Sequence, residues 1–216
     1  MPAAGASVAG LPDTIRIRQP GLHPECVEWD APRDRFLVSS ATTGAITAVR
    51  DDGSHSVFID DPEVVGSIGI HIDSAGGRLL VASSDMRVFE DSSFPGRAAV
   101  GIYDLESGER IRMVDLGALR PEGRHFANDL TVDGEGTVYV TDSFSPVIYR
   151  VALDGTASIL VEDERLSGEP IGLNGIEFHP DGYLLAAVMG RRTLVRVPLD
   201  EPSGLTDVSL DEPVSA

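Results

Sequence analysis

Lysine is absent from this 216-residue sequence, in which all 17 basic residues are arginine. The chain therefore cannot form a Schiff base through a lysine amine or hold phosphate with a Walker-type lysine. It also lacks an S-x-x-K motif, and no G-x-S-x-G elbow presents a serine nucleophile. These absences exclude several common routes of covalent catalysis.

Cysteine is nearly absent as well, because Cys26 is the single one. One cysteine cannot form an internal disulfide or a cysteine metal cluster. The local sequence around Cys26 offers no base to activate the thiol. We therefore interpret Cys26 as a small packed hydrophobe rather than a nucleophile.

Positive charge is scarce, and the formal net charge is −18 at pH 7. This charge argues against nucleic acid or an anionic membrane surface as a partner. No stretch reaches transmembrane length. Residues 1–12 lack the basic start and continuous apolar core of a signal peptide, so the sequence predicts a cytoplasmic location.

Long helix-period runs are also missing, and a unit of short β-strands recurs instead. Its cleanest copy, residues 126–153, reads FANDLTVDGEGTVYVTDSFSPVIYRVAL. Apolar residues alternate in its first strand, the glycine-rich turn at 133–136 follows, and two β-branched or aromatic strands come next. With a fourth strand near 158–161, the unit has the content of one propeller blade.

The first strands of the successive units open at four equivalent positions, Glu25, Ile68, Asn128 and Asn174. Their separations of 43, 60 and 46 residues are typical of a propeller or another repeat array. The sequence therefore predicts an all-β propeller domain at 13–216 after a flexible tail at 1–12. About four blades are expected, at 23–60, 66–116, 125–163 and 172–210.

Two further segments have a predicted place in this architecture. Residues 14–18 alternate as a strand with one buried face does, and such an N-terminal strand often completes the last blade of a propeller. The insertion at 85–97 lengthens the second unit and contains Phe89 and Phe94. We expect it to overhang one face of the ring.

The residue that opens each innermost strand faces the mouth of the central channel in a propeller. Those residues are here one carboxylate, one hydrocarbon and two carboxamides. Oxygen donors from separate blades suit Ca²⁺, whereas softer metals require cysteine or clustered histidine. The alternative is that Asn128 and Asn174 only cap backbone groups and that Glu25 is a solvated rim carboxylate.

Several motifs resemble the family of senescence marker protein, gluconolactonase and luciferin-regenerating enzyme, which are calcium-dependent six-bladed propellers. They are Pro24-Glu25, NDLTVD beginning at Asn128, YVTDS at 139–143, and GLNGIEFHPDG around Asn174. Diisopropyl fluorophosphatase and the paraoxonases share the plan more distantly. The resemblance, which covers residues 22–199, implies that Glu25, Asn128 and Asn174 bind one catalytic divalent cation, Ca²⁺ or a similar ion.

The resemblance also implies a fourth ligand, an aspartate that opens a later blade and would fall beyond Ala216. On this basis the chain corresponds to a six-bladed propeller truncated after its fourth blade. Open blade edges would then be available for self-association.

Other candidate residues lie close to the predicted ligands. His125 precedes Asn128 by three residues in a predicted loop at the channel mouth, and it is a candidate catalytic base or substrate-binding residue. Packing or hydrogen bonding is the alternative role. Asp129 is predicted to point to the opposite side of its strand, in a structural or supporting role. His71 and His179 are assigned structural roles.

The resemblance implies a Ca²⁺-dependent hydrolase that acts on a small-molecule lactone or related ester. Two alternatives stay open at this point. One is a non-catalytic propeller that serves as a binding or scaffold module, since propellers host many unrelated functions. The other is an inactive fragment that lacks the last ligand.

Overall fold

The computed structural model describes residues 13–209, and the all-β fold predicted from the sequence is confirmed. About 49% of the described residues are in strands and 10% are helical. The described residues form 17 strands in four sheets, joined by loops and six short 3-10 helices. No helix in this part of the chain is long and apolar enough to cross a membrane. The predicted tail at 1–12 lies outside the described residues, as do residues 210–216.

The first two sheets each have four consecutive antiparallel main strands. The first sheet contains β1 (Pro24–Asp30), β2 (Arg35–Ser40), β3 (Ile46–Val49) and β4 (His55–Ile59), in that order. The second sheet contains β5 (Gly66–Asp73), β6 (Arg78–Ser84), β8 (Ala99–Asp104) and β9 (Arg110–Asp115). The short strand β7 (Gly96–Arg97) lies between β6 and β8 in the sequence but pairs with the third sheet.

The third and fourth sheets repeat the same order of strands. The third contains β10 (His125–Val132), β11 (Val138–Asp142), β12 (Val147–Val151) and β13 (Ala157–Glu162), and β7 pairs with β10 in parallel. The fourth contains β14 (Leu173–His179), β15 (Tyr183–Val188), β16 (Thr193–Pro198) and β17 (Thr206–Asp207). The 3-10 helices are Ala31–Arg33, Met86–Phe89, Gly117–Leu119, Glu164–Leu166, Met189–Arg191 and Pro202–Gly204.

The sheets are arranged side by side, because the first strands β1, β5, β10 and β14 contact one another in succession. Apolar side chains fill the three spaces between consecutive sheets. Examples are Ile70 between the first and second sheets, Val140 between the second and third, and Leu184 between the third and fourth. Burial of these faces drives the sheets together and holds their inner strands close to each other.

The predicted strand at residues 14–18 is wrong, because the structure has no strand there. The segment lies over the first sheet, where Thr47 Oγ1 donates a hydrogen bond of 3.1 Å to Gln19 Oε1. Ile15 and Ile17 are half-buried while their neighbours are exposed. The alternation in burial is thus present without strand pairing.

The insertion at 85–97 crosses from the second sheet to the third. Its helix ends at Phe89, whose ring centroid lies 5.0 Å from that of Phe126 and 5.1 Å from that of Phe144. Its last residues form β7, where Gly96 pairs with His125 and Arg97 with Phe126. The insertion therefore joins neighbouring sheets at the end where β10 begins.

Candidate metal centre

All four inner strands contain a register shift at the same place. The paired residues that flank the shifts are Pro24 and Val27, Ser67 and Ile70, Ala127 and Leu130, and Leu173 and Ile176. Each shift leaves two residues of the inner strand opposite one residue of the next strand, which is the arrangement of a β-bulge. Glu25, Ile68, Asn128 and Asn174 each occupy the first bulge position. Because they occupy the same place in the same kind of bulge, these four positions are structurally equivalent.

Asn128 is 7% exposed, and its amide orientation is defined by a neighbouring hydroxyl. Its Nδ2 donates a 2.8 Å hydrogen bond to Ser143 Oγ, which in turn donates to the carbonyl oxygen of Leu173 at 2.8 Å. The Oδ1 atom accepts no hydrogen bond from residues 13–209, and it is not among their buried unpaired polar atoms. Asn128 therefore presents an available oxygen donor.

Asn174 is half-buried at the equivalent position of β14. Its backbone carbonyl accepts a 2.6 Å hydrogen bond from Thr141 Oγ1, which also accepts the backbone N–H of Asp129 at 3.1 Å. Thr141 thus ties the bulge of β10 to that of β14. No hydrogen bond uses the side-chain amide of Asn174 within the described part of the chain.

Glu25 is at the exposed end of β1 and has no ion-pair partner among the described residues. Desolvation by the surrounding strands, and then the negative charge of Asp129, raise the pKa of its carboxyl group. The effect of Asp129 links β1 electrostatically to β10. A cation bound between them would relieve the repulsion.

Asp129 bridges two inner strands, in line with the structural role expected for it. Its Oδ2 accepts the backbone N–H of Ile176 at 3.0 Å. A Cβ atom added at Gly69 would lie 2.6 Å from Asp129 Oδ1, and one added at Gly175 would lie 3.6 Å from Oδ2. The carboxylate therefore fits beside two glycines of neighbouring strands, and burial raises its pKa. The alternation of side chains along a regular strand does not predict this position of Asp129, because the bulge interrupts the alternation.

The donor set fits Ca²⁺ in atom type but provides little charge. Glu25, Asn128 and Asn174 would offer one carboxylate and two amide oxygens, which are typical calcium ligands. Within residues 13–209, no group of three or more His, Cys, Asp or Glu side chains is arranged to hold a metal ion. A metal here would therefore depend on the amide oxygens.

His125 is the first residue of β10, not part of a loop as predicted, and it is 5% exposed. Its Nδ1 lies 2.8 Å from Asp142 Oδ2, and its Nε2 lies 2.9 Å from the carbonyl oxygen of Arg120. Burial acts to lower the pKa of His125, but the hydrogen bond and charge of Asp142 outweigh it, so the pKa is raised. Both ring nitrogens are engaged with protein acceptors in this structure.

Asp142, the last residue of β11, and Ser143, which follows it, were only weakly indicated by the sequence. Asp142 is fully buried, and its Oδ1 accepts the backbone N–H groups of Phe126, Phe144 and Ser145. Ser143 orients Asn128. The signal for both residues is the TDS sequence at the end of the second strand of the unit that contains Asn128. Turn chemistry explains such residues equally well before their contacts are known.

A cleft of about 510 Å³ adjoins this group, and the sequence did not predict it. Residues from three separate segments line it, among them Arg124, Ser143 and Glu169. Ser143 thus lines the cleft and also contacts Asn128. Because the three segments meet only in the folded chain, no local motif marks the cleft.

The chain is similar to two allergens of Malassezia species. It is 25% identical to the major allergen Mal f 1 of Malassezia furfur over 223 residues, covering 93% of this chain and 64% of that protein. The crystal structure of the Malassezia sympodialis allergen Mala s 1 is 23% identical with a TM-score of 0.73, over 89% of this chain and 65% of that one. The chain thus spans less than two thirds of the length of both relatives.

The similarity to two further structures, at lower sequence identity, shows only a common fold. Virginiamycin B lyase from Staphylococcus aureus is 14% identical with a TM-score of 0.67, over 91% of this chain and 59% of that chain. A candidate gluconolactonase is 17% identical with a TM-score of 0.61, over 88% of this chain and 64% of that chain.

The strongest assignment comes from the family level. The sequence model of the family described as SMP-30/Gluconolactonase/LRE-like region matches residues 23–209, nearly all of the part that the structure describes. This is the family that the motifs around Glu25, Asn128 and Asn174 resemble. The chain therefore belongs to the SMP-30/gluconolactonase/LRE-like family.

Proposed function

We propose that this protein is a divalent-cation-dependent hydrolase of lactones or related esters. The supporting observation is the common bulge position of Glu25, Asn128 and Asn174 on three inner strands. Family membership adds the chemistry, because a gluconolactonase is one of the proteins after which the family is described. We also propose that the four sheets are part of a six-bladed propeller, with two further blades outside this sequence.

In this proposal Glu25, Asn128 and Asn174 hold Ca²⁺ or a similar cation. The bound cation would polarise the ester carbonyl and stabilise negative charge on its oxygen as water adds. Ser143 holds the Asn128 amide so that Oδ1 stays available. Asp129 adds negative charge nearby, which favours cation binding. Because both nitrogens of His125 are engaged, we assign it to positioning the start of β10 rather than to proton transfer.

The test begins with protein freed of metal by a chelator and then titrated with Ca²⁺, with Mg²⁺ and Mn²⁺ in parallel. A ligand at about 100 times its Kd stabilises the folded state by about 2.7 kcal/mol. For a domain of this size that corresponds to a rise in Tm of about 5–10 °C. Lactone hydrolysis should appear with the same metal dependence.

Matched variants separate the site from general charge effects. Glu25→Gln, Asn128→Ala and Asn174→Ala should each abolish the metal-dependent rise in Tm. Glu106→Gln changes an exposed glutamate away from the inner strands and should keep it. A Tm that does not respond to any of the three metals, together with no lactone turnover, would overturn the proposal.

A second candidate function is a non-catalytic binding module. It is compatible with the similarity to the allergen Mal f 1, whose name states no enzymatic activity. It also agrees with the single carboxylate in the donor set. A module of this kind would keep the same Tm with and without metal, and Asn128→Ala would leave its ligand binding unchanged.

A further inference from the structure

Arg124 is a cation without a matching anion in the described part of the chain. It is half-buried, its guanidinium carbon lies 4.3 Å from the centroid of the Phe144 ring, and one terminal nitrogen donates to the carbonyl oxygen of Val88. Its Nε is buried and has no hydrogen-bond partner among residues 13–209. No ion pair of the described residues includes it, although its charge contributes weakly to lowering the pKa of Asp91.

This unpaired state is unexpected for a protein with a net charge of −18. Burying a guanidinium without a partner costs free energy, so such groups are normally paired. Stacking on Phe144 and the bond to Val88 instead hold the side chain in a defined orientation. A positioned arginine without an anionic partner can donate a charge-assisted hydrogen bond to an anion from its second terminal nitrogen, because the first is bonded to Val88 and Nε is buried.

The surroundings of Arg124 can accept a small organic molecule. It lines the cleft of about 510 Å³ together with Ser143, Phe144, Pro146, Glu169 and Pro170. A volume of this size is within the range of small-molecule sites. Phe144 and the two prolines provide apolar surface. Ser143 joins the cleft to the candidate metal centre, because its hydroxyl receives the Asn128 amide at 2.8 Å.

The charges in the cleft favour a monoanion. Among the described residues that line it, Arg124 is the only cation and the exposed Glu169 is the only anion. A carboxylate would be matched by the single guanidinium. A phosphate dianion would leave excess negative charge beside Glu169.

We propose that this cleft is a subsite for the carboxylate of an organic ligand, held by Arg124, with the apolar part of the ligand against Phe144. Binding itself does not depend on the proposed hydrolase activity. The identity of the ligand does rest on the proposed function. If the protein is a hydrolase of lactones or esters, its substrate also carries a free carboxylate.

The first experiment measures binding by NMR or calorimetry in chelator-treated protein, with benzoate as the anion and benzamide as its neutral counterpart. Benzoate should bind at least about 10-fold more tightly than benzamide, and more tightly than inorganic phosphate. Arg124→Gln should weaken benzoate binding about 10- to 100-fold, which is the range for a charge-assisted hydrogen bond. Arg150→Gln, at an exposed arginine of β12, should leave binding unchanged.

Arg124→Lys keeps the charge but loses the planar fork, so it should cause a smaller loss than Arg124→Gln, about 3- to 10-fold. It also serves if Arg124→Gln does not fold, with Arg150→Lys as its control. Equal benzoate binding in the wild type and a folded Arg124 variant overturns the proposal. So does equal binding of benzoate and benzamide, or tighter binding of phosphate.

The second experiment compares a carboxylate-bearing lactone with its methyl ester as substrates of the metal-loaded protein. Arg124→Gln should lower kcat/KM for the acid at least about 10-fold and leave that for the methyl ester within about 2-fold. Equal losses for both substrates would overturn the substrate assignment. Benzoate binding without any lactone turnover would retain the subsite and remove the proposed function.

Discussion

Replacing Asp142 by asparagine tests whether the buried group around His125 holds the start of β10 in place. In the wild type, Asp142 Oδ2 lies 2.8 Å from His125 Nδ1 and accepts the hydroxyl of Tyr149 at 3.2 Å. Asparagine can keep the oxygen that accepts three backbone N–H groups. It then places an uncharged NH2 group where the second carboxylate oxygen faced the imidazole.

The expected cost follows from these contacts. A hydrogen bond between charged groups contributes about 1.5–3 kcal/mol, and removing one partner of a buried ion pair costs about 3–5 kcal/mol. Because asparagine retains the backbone bonds, we expect Asp142→Asn to lower the free energy of unfolding by about 2–4 kcal/mol. For a domain of this size, that lowers Tm by about 5–15 °C.

The loss should depend on pH in a definite direction. The pKa of His125 is raised in the folded protein above its unfolded value, which is about 6.5. The charged imidazole therefore stabilises the fold fully below about pH 6.5, and this contribution disappears as the pH rises through the folded pKa. The difference in unfolding free energy between wild type and Asp142→Asn should be larger at pH 6 than at pH 9.

Urea denaturation at both pH values measures these quantities, with Asp200→Asn as a control at an exposed aspartate. The control should change stability by less than about 0.5 kcal/mol. A loss below about 1 kcal/mol for Asp142→Asn would show that the buried group contributes little. A loss that is the same at both pH values would refute the charged state assigned to His125.

Three other predictions concern the fold itself. Gly69→Ala should cost about 1–3 kcal/mol in urea denaturation, because its Cβ would lie 2.7 Å from a backbone oxygen of β10, whereas Gly134→Ala has open space and should cost less than about 1 kcal/mol. Arg78→Met should cost about 3–5 kcal/mol by the same assay, since it leaves the buried Asp73 carboxylate without its 2.8 Å bond to Nε, and a loss under about 1 kcal/mol would contradict this. Trp29 is 43% exposed on the outward face of the first sheet, so Trp29→Glu should shift any self-associated species toward monomer in size-exclusion chromatography. An unchanged elution volume would exclude this face as the contact.

Most of the longer strands could be predicted because they have a local signal, whereas the two-residue strands β7 and β17 were not predicted. Apolar residues alternate in β10 and β14, and β-branched residues fill β11 and β12. Glycines with positive φ mark the turns between strands, as at Gly136 and Gly155. Residues 14–18 show the limit of this reasoning. They alternate as a strand does, but they pair with no strand in the described part of the chain.

The equivalence of the four opening positions could also be predicted, because it depends on aligned repeats. The contacts of those positions could not. Asn128 is oriented by Ser143 from the following loop. The Asp129 carboxylate fits beside Gly69 of another sheet because glycine has no side chain. Such contacts join residues far apart in sequence, and the bulge alters the direction of the side chains that alternation would assign.

His125 shows the same limit for chemistry. A histidine near the mouth of a predicted channel is a reasonable candidate base, and its sequence position gave no sign of burial. The structure surrounds it with Asp142, Tyr149 and the carbonyl oxygen of Arg120. These groups come from three segments, so only the folded chain reveals that both ring nitrogens are engaged.

In the bulges of β1 and β10, different residues bond to the backbone N–H and present the free polar side chain. At the second bulge position the backbone N–H needs a partner, and a hydroxyl of the next strand supplies it: Ser39 Oγ accepts from Cys26 at 2.8 Å, and Thr141 Oγ1 accepts from Asp129 at 3.1 Å. The side chains of Glu25 and Asn128 at the first position are then not needed to satisfy the strand. Capping residues would be expected to bond to nearby backbone N–H groups. Because hydroxyl groups of the next strand bond to the bulge N–H groups, the side chains at the first position are available to a ligand, which supports the proposed cation site.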